Sequence, residues 1–290
     1  MDALAWNDVS SSPTDSVKLF TRIQIQTVSW CNRSCAFCPS GKFEVPKVFM
    51  PPEVYRRVID QLADLGFSGR ISPYLMNESL LDKRLADLIR YTRQRCPDSW
   101  LAINTNGDAL SLALIERLFD AGLNCLAINA YDSSAQHQQH LQLAAEVMAK
   151  NQEVVLSTGN LGRRLDGVDM PRTKRMLHCR DLGEWEDQFI RGEGDAAIFL
   201  TNRSGNVPLG RKLKKPLQMS CDLPFEQMFI NYKGEAVLCC NDWRFEVVMG
   251  DTATARLDQI WANEKYGAYR TELNRQSRAM PLCSTCDRVP

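Results

Sequence analysis

Three cysteines spaced Cys31-x-x-x-Cys35-x-x-Cys38, in the stretch TVSWCNRSCAFCPS, put three thiols on one short segment. Thiolates are soft ligands that suit iron–sulfur clusters and zinc. A cubane cluster has four irons, each taking one external ligand, so three cysteines leave one iron open for chemistry. Zinc takes the same ligands but closes its shell with four protein groups in structural sites. No histidine stands near the triplet and the next cysteine is Cys96. A second set lies far downstream: Cys221, Cys239 and the pair Cys283-Ser-Thr-Cys286. Four thiols suit either a fully ligated cluster or tetrahedral zinc. Cys240 is a fifth thiol beside Cys239, and neighbours on a strand point to opposite faces.

The remaining thiols, Cys96, Cys125 and Cys179, have no partners at ligand spacing and read as buried structural cysteines. His137, His140 and His178 form no metal pattern with them. Eleven cysteines in one chain point to metal ligation before disulfides if the compartment is reducing. The start MDALAWNDVSSS lacks the basic-then-apolar pattern of a secretory signal, and no apolar run approaches the ~20 residues of a membrane helix. A cytoplasmic location is expected. The 35 basic and 35 acidic residues cancel, so the charge balance favours neither nucleic acid nor membrane as partner. One basic run, Arg211, Lys212, Lys214 and Lys215, could meet an acidic protein.

The elements that must position these thiols alternate. Residues 1–16 form a polar lead-in. LFTRIQIQTV (19–28) reads as a strand ending at the cysteine triplet. Val54, Val58, Ile59, Leu62 and Leu65 have helical spacing, with prolines before and Gly66 after. RISPYLM is the second strand, a helix carries Leu85, Leu88 and Ile89, and LAINTN (101–106) is the third strand. SLALIERLFDAG, NCLAINAY, HLQLAAEVMAK and EVVLSTGN continue the series, and AAIFLTNRSGN (196–206) makes a sixth strand. Repeated strand–helix units predict an α/β fold, a partial (β/α)6 TIM-like barrel over 17–207 with ligands above the strand C-terminal ends. FEQMFINY and EAVLCCND flank Lys233-Gly234 as a hairpin, and Leu257, Ile260, Trp261 and Tyr269 follow at helical intervals. They predict a small α+β domain over 208–290.

The triplet, with Phe37 before its last cysteine, resembles the cluster loop of the radical S-adenosylmethionine (SAM) superfamily. The resemblance implies a [4Fe–4S] cluster on Cys31, Cys35 and Cys38 whose open iron binds SAM, and reductive cleavage of SAM to a 5′-deoxyadenosyl radical. It also assigns roles to strand-end residues. Glu78, in Met76-Asn77-Glu78-Ser79, falls where the family carries a Gly-Gly-Glu-Pro-like motif that receives the SAM ammonium. Asn104, Thr105 and Asn106 resemble the Thr-Asn-Gly segment near the ribose and methionine part, and Asn129 and Ser157 occupy comparable places. As ordinary residues, Glu78 would be a helix cap and Asn106-Gly107 a turn.

The spacing Cys221-x12-Gly234-x4-Cys239, followed by Cys-x2-Cys, is similar to SPASM and twitch domains. That resemblance implies a second [4Fe–4S] cluster on Cys221, Cys239, Cys283 and Cys286, with Cys240 as the alternative to Cys239. Arg203, in Asn202-Arg203-Ser204-Gly205, would then contact SAM or substrate. With all four irons ligated, electron transfer is the natural task of this cluster. The expected reaction is hydrogen abstraction from, and two-electron oxidation of, a small polar metabolite of the sugar or aminocyclitol class in natural-product biosynthesis. Modification of a ribosomal precursor peptide, a redox-neutral decarboxylation or dehydration of a nucleotide sugar, and a non-catalytic iron–sulfur or zinc protein are the alternatives. A flavodoxin- or ferredoxin-type electron donor is the expected protein partner.

Overall fold

In the computed structural model, the structure describes residues 18–158, 173–182, 201–208 and 210–289. The lead-in 1–16 lies outside them. Nine strands of the described residues form one sheet, which in spatial order runs β5 (Val154–Thr158), β6 (Arg175–Asp181), β4 (Cys125–Ala130), β3 (Trp100–Thr105), β2 (Arg70–Ser72), β1 (Arg22–Ile25), β7 (Gln227–Ile230), β8 (Glu235–Val237) and β9 (Val248–Asp251). The strands β1 (Arg22–Ile25), β2 (Arg70–Ser72), β3 (Trp100–Thr105), β4 (Cys125–Ala130), β5 (Val154–Thr158) and β6 (Arg175–Asp181) pair in parallel. This is the α/β arrangement expected from the strand–helix alternation.

One element departs from expectation. The sequence predicts the sixth strand at 196–206, but residues 201–206 hold no strand, with a turn at 203–206, and 196–200 lie outside the described residues. The sixth parallel strand is Arg175–Asp181, inserted between β4 and β5. Its sequence RMLHCRD hides the strand because His178 and Arg180 interrupt the apolar run.

Helices α1 (Pro52–Asp64), α2 (Leu85–Arg95), α3 (Leu112–Asp120) and α4 (Ser134–Lys150) cover one face of the sheet. Proline at the first turn starts α1, and Gly66 at φ +61° takes the left-handed conformation just beyond its end. Ser111 and Ser133 cap α3 and α4, accepting from Leu114 N and Gln136 N. Alternation along each strand sends Leu101, Ile103, Leu126, Ile128, Leu177 and Cys179 into this main core.

The other face grades from apolar to polar along the strands. Trp100, Ala102, Cys125 and Met176 form a small apolar cluster near the strand starts. Asn104, Asn129, His178 and Arg180 follow on the same face towards the strand C-terminal ends, by the same alternation. Polar groups therefore gather where the cysteine loop crosses.

The expected hairpin forms from β7 (Gln227–Ile230) and β8 (Glu235–Val237), turning at Gly234 with φ +93°. β7 also pairs in parallel with β1, so the C-terminal strands continue the same sheet, closed by β9 (Val248–Asp251). The short helix α5 (Leu223–Glu226) precedes the hairpin, and α6 (Leu257–Trp261) and α7 (Glu264–Asn274) follow it. Leu257, Ile260, Trp261 and Tyr269 are all buried, as their spacing predicted.

Candidate active site at the strand ends

The loop after β1 carries Cys31, Cys35 and Cys38 in irregular backbone, closed at its base by a bridge between Val28 and Phe49. Cys38 N donates to Cys35 O at 3.1 Å. The amides of Arg33 and Ser40 donate to the sulfurs of Cys31 and Cys38 at 3.4 and 3.5 Å. Donors aimed at sulfur favour thiolate, the form that ligates metal. Burial pushes both thiols up, and the neighbouring Cys38 charge adds to the effect on Cys31. Such a group of thiols is deprotonated when it binds metal. Phe37 packs on Tyr131, ring centroids 5.2 Å apart.

Glu78 is 4% exposed and is the hub of the site. Its Oε1 accepts from Leu80 N at 3.0 Å and Thr105 Oγ1 at 2.7 Å, and its Oε2 accepts from Asn106 N at 2.8 Å. Burial pushes this carboxyl up, and the three donors oppose that shift. Residues 76–79 all have negative φ, so this backbone needs no glycines to present the acid. The capping role also holds, because the Leu80 bond starts the short turn 79–81.

Asn106 Nδ2 donates to Asn32 Oδ1 at 2.8 Å, bringing the loop after β3 onto the cysteine loop. Asn104 Nδ2 donates to Tyr74 Oη at 2.9 Å. Asn129 is 3% exposed and its Oδ1 has no hydrogen-bond partner among the described residues. Thus Phe37, Glu78, Thr105 and Asn106 join the triplet, while Asn104 and Asn129 lie on the polar inner face at the ends of β3 and β4. Ser157 is set apart: it pairs with His178 on the edge strand, two residues short of the level where Asn129 pairs with Arg180.

Gly107, at φ +81°, closes the turn after β3, and a Cβ there would meet His140 Nε2 at 2.5 Å. Gly107→Ala is expected to destabilise the protein by about 1–3 kcal/mol from backbone strain and overpacking, read as a lower denaturant midpoint at unchanged m.

Cys221, Cys239, Cys283 and Cys286 line one cavity with Arg278 and Arg288. Cys240 does not line it, although its thiol feels the charges of Cys221 and Cys286. Burial pushes Cys283 up to about 12, with repulsion from Cys286 and Cys221 adding to it. Asn241 Nδ2 donates to Cys286 Sγ at 3.7 Å. Four thiols with two adjoining guanidiniums fit an anionic, fully ligated cluster.

Arg203 stands between the two cysteine sets. Burial pushes the thiols of Cys38 and Cys240 up, and the charge of Arg203 opposes that rise at both. Arg203, Ser204 and Gly205 have φ of 47°, 58° and 81°, a run of left-handed residues that costs strain at the two non-glycines. The surroundings hold it: Asn202 Nδ2 donates to Thr285 O at 2.6 Å and Arg211 O at 2.8 Å. Asn206 Nδ2 donates to Arg203 O and Asn241 O, both at 2.9 Å. The Arg203 turn is thereby tied to the backbone next to Cys286 and Cys240.

Sequence reasoning missed Arg180 and Tyr131. Arg180 Nε is buried without a hydrogen-bond partner among the described residues, and its charge reaches Tyr131. Tyr131 lies within electrostatic range of Cys35, Cys38 and Glu78. An Asn-Ala-Tyr run at a strand end was the only available signal.

Residues 25–152 match the radical SAM superfamily, and residues 221–287 match SPASM, an iron–sulfur cluster-binding domain. The chain is 26% identical over 277 residues to the S-adenosyl-L-methionine-dependent 2-deoxy-scyllo-inosamine dehydrogenase of Niallia circulans, covering 94% of each chain. The crystal structure of BtrN in complex with AdoMet and 2-DOIA superposes with a TM-score of 0.69 at 24% identity, again over 94% of each chain. AdoMet-bound anSMEcpe superposes at 0.53 with 11% identity, over 87% of this chain and 80% of that one. The cofactors are SAM and two [4Fe–4S] clusters, for which both cysteine sets have fitting donors. Both family matches fall on the cysteine sets, so residues 25–152 carry a radical SAM domain around the triplet and residues 221–287 a SPASM-type iron–sulfur cluster-binding domain around the second set.

Proposed function

We propose that this enzyme oxidises a hydroxyl of a small polar metabolite of the sugar or aminocyclitol class, in natural-product biosynthesis. The observation that carries this reading is Arg203, one guanidinium within electrostatic reach of Cys38 and of Cys240 beside the second cluster site. When bound, SAM and the clusters supply a radical that takes a carbon-bound hydrogen and an acceptor for the remaining electron. Oxidation of an alcohol to a ketone also releases the hydroxyl proton, and the chain's own residues must manage it.

Arg203 presents a fixed fork of donors that holds the hydroxyl oxygen as its proton leaves. Cys31, Cys35 and Cys38 hold the SAM-binding cluster; Cys221, Cys239, Cys283 and Cys286 hold the auxiliary one. Glu78 takes the SAM ammonium, with Phe37, Asn104, Thr105, Asn106, Asn129 and Ser157 around the rest of the molecule. Arg180 is an available cation for the SAM carboxylate. A flavodoxin- or ferredoxin-type protein supplies the electron, for which exposed Arg211, Lys212, Lys214 and Lys215 offer a complementary surface. Eleven free thiols suit a reducing cytoplasm, and among the described residues no helix is long and apolar enough to cross a membrane.

The test is anaerobic turnover of the reconstituted, reduced enzyme with SAM and 2-deoxy-scyllo-inosamine, the aminocyclitol named for the relative. One 5′-deoxyadenosine per ketone is expected; 5′-deoxyadenosine release with every aminocyclitol left intact rejects the assignment. Arg203→Ala is expected to lower ketone formation by about 10²–10⁴-fold while SAM cleavage persists, and Arg203→Lys to recover part of the loss. Equal ketone yield from wild type and Arg203→Ala would remove Arg203 from the chemistry.

A further inference from the structure

The cysteine loop has no regular secondary structure of its own, so side-chain ties must hold it over the strand ends. Arg33, between Cys31 and Cys35, provides the densest of them. Its Nε donates to Asp108 Oδ2 at 2.7 Å, and Nη2 completes a two-pronged contact with Asp108 Oδ1. Nη1 and Nη2 also donate to Asp132 Oδ1 and Oδ2 at 2.6 and 2.9 Å. Asp108 lies in the loop after β3 and Asp132 in the loop after β4, 75 and 99 residues away in sequence. The Arg33 side chain is 18% exposed and Asp108 29%, whereas Asp132 is 61% exposed, so the fork to Asp108 is the sheltered half of the network.

The network reaches further. Asn32 Nδ2 donates to Asp108 Oδ2 at 2.7 Å, and Asp108 N donates to Asn106 Oδ1 at 3.0 Å. Asn106 donates through Nδ2 to Asn32 and through its amide to Glu78. A continuous chain of hydrogen bonds therefore runs from the cysteine loop to the buried Glu78 carboxylate. The two forked contacts matter because Arg loses little freedom when it meets a carboxylate bidentately, whereas ordering each free loop residue costs about 1–2 kcal/mol.

We propose that Arg33 is a positioning residue that locks the loop of Cys31, Cys35 and Cys38 to the loops after β3 and β4, fixing the first cluster site in register with Asn106 and Glu78. This rests on the radical SAM reading of the triplet. Substrate and chemistry do not depend on Arg33; assembly of the first site and its response to SAM do.

The test uses full-length protein, anaerobically reconstituted, comparing wild type with Arg33→Ala, Arg33→Lys and the triple variant Arg33→Ala/Asp108→Asn/Asp132→Asn. The readouts are iron per chain and the electron paramagnetic resonance of the reduced first cluster with and without SAM. Arg33→Ala is expected to fall from about eight irons per chain towards about four, keeping the auxiliary signal and losing the SAM-induced spectral change. Arg33→Lys keeps the charge without the fork and is expected to load iron but show a weakened SAM response. The triple variant removes the stranded carboxylates and should regain iron without regaining the full SAM response. Full iron and a wild-type SAM response in Arg33→Ala overturn the proposal. If Arg33→Ala loses both clusters or misfolds, the Arg33→Lys response decides: an unchanged SAM effect there overturns it equally. Failure of the wild-type triplet to take a SAM-responsive cluster would instead sink the family reading and leave Arg33 aside.

Discussion

Replacing Cys283 and Cys286 together with alanine is expected to leave SAM cleavage within a few-fold of wild type and to cut ketone formation on the order of a hundredfold or more. The two thiols flank a single helical turn, Cys283–Thr285, and line the same cavity as Cys221 and Cys239. Their loss removes half of the proposed auxiliary ligands while leaving Cys31, Cys35 and Cys38 untouched. If the second site accepts the electron left after hydrogen abstraction, the double variant starts turnover and cannot finish it. The ratio of 5′-deoxyadenosine to ketone is then the measurement, and it should rise steeply from one. Iron content and the spectrum of the first cluster provide the folding control. An unchanged ratio at halved iron would show that oxidation does not need the auxiliary site. Loss of both products with both cluster signals would mean that the second site supports the fold as well. The Arg203 turn makes that outcome measurable, because Thr285 Oγ1 donates to Ser204 O at 3.0 Å and Thr201 Oγ1 to Asp287 Oδ1 at 2.8 Å. Any collapse of the C-terminal loop would therefore also move Arg203.

The triplet and the pair Cys283–Cys286 stand out in sequence because their spacing is local, whereas joining that pair to Cys221 and Cys239 took the SPASM resemblance. Five of the six parallel strands were legible for a similar reason: alternation and the glycine and proline punctuation around α1 and α3 are local. Strand β6 was not, because half its residues face the polar mouth of the sheet, where His178 and Arg180 take inner-face positions and break the apolar pattern. Its insertion between β4 and β5 cannot be read from any segment alone. The Arg33 contacts span 75 and 99 residues, and the ties of Asn202 to Thr285 span 83. Such pairings exist only once the sheet has brought distant loops to one end. Glu78 was identifiable by its motif position, yet what holds it, Thr105 and Asn106 from the next strand, appeared in sequence only as a separate polar turn.

Glu78→Ala is expected to have the largest effect of any single substitution outside the cysteines. The carboxylate accepts from Leu80 N, Thr105 Oγ1 and Asn106 N at a position 4% exposed. Truncation leaves three buried donors without an acceptor, each costing about 1–3 kcal/mol unless water enters. It also removes the proposed partner of the SAM ammonium, so SAM affinity should fall at least about a hundredfold, the scale of losing a buried charge-assisted hydrogen bond. Glu78→Gln separates the two effects: it keeps one acceptor and the shape, restores much of the stability, and still lacks the negative charge. The pH dependence supplies an independent check. Burial raises the Glu78 pKa, so the ionised form that attracts an ammonium is present above that raised value, and SAM affinity falls as pH drops through it. For folding the sign reverses. A raised native pKa makes the folded state the tighter proton binder, so this group's contribution to stability is greatest below its unfolded pKa and is lost as pH rises through the folded one. Glu78→Gln should flatten both profiles. SAM binding to Glu78→Gln at wild-type affinity, with the same pH slope, would show that the carboxylate serves as the cap of the turn 79–81 and as the anchor of Asn106, and that the ammonium is held elsewhere.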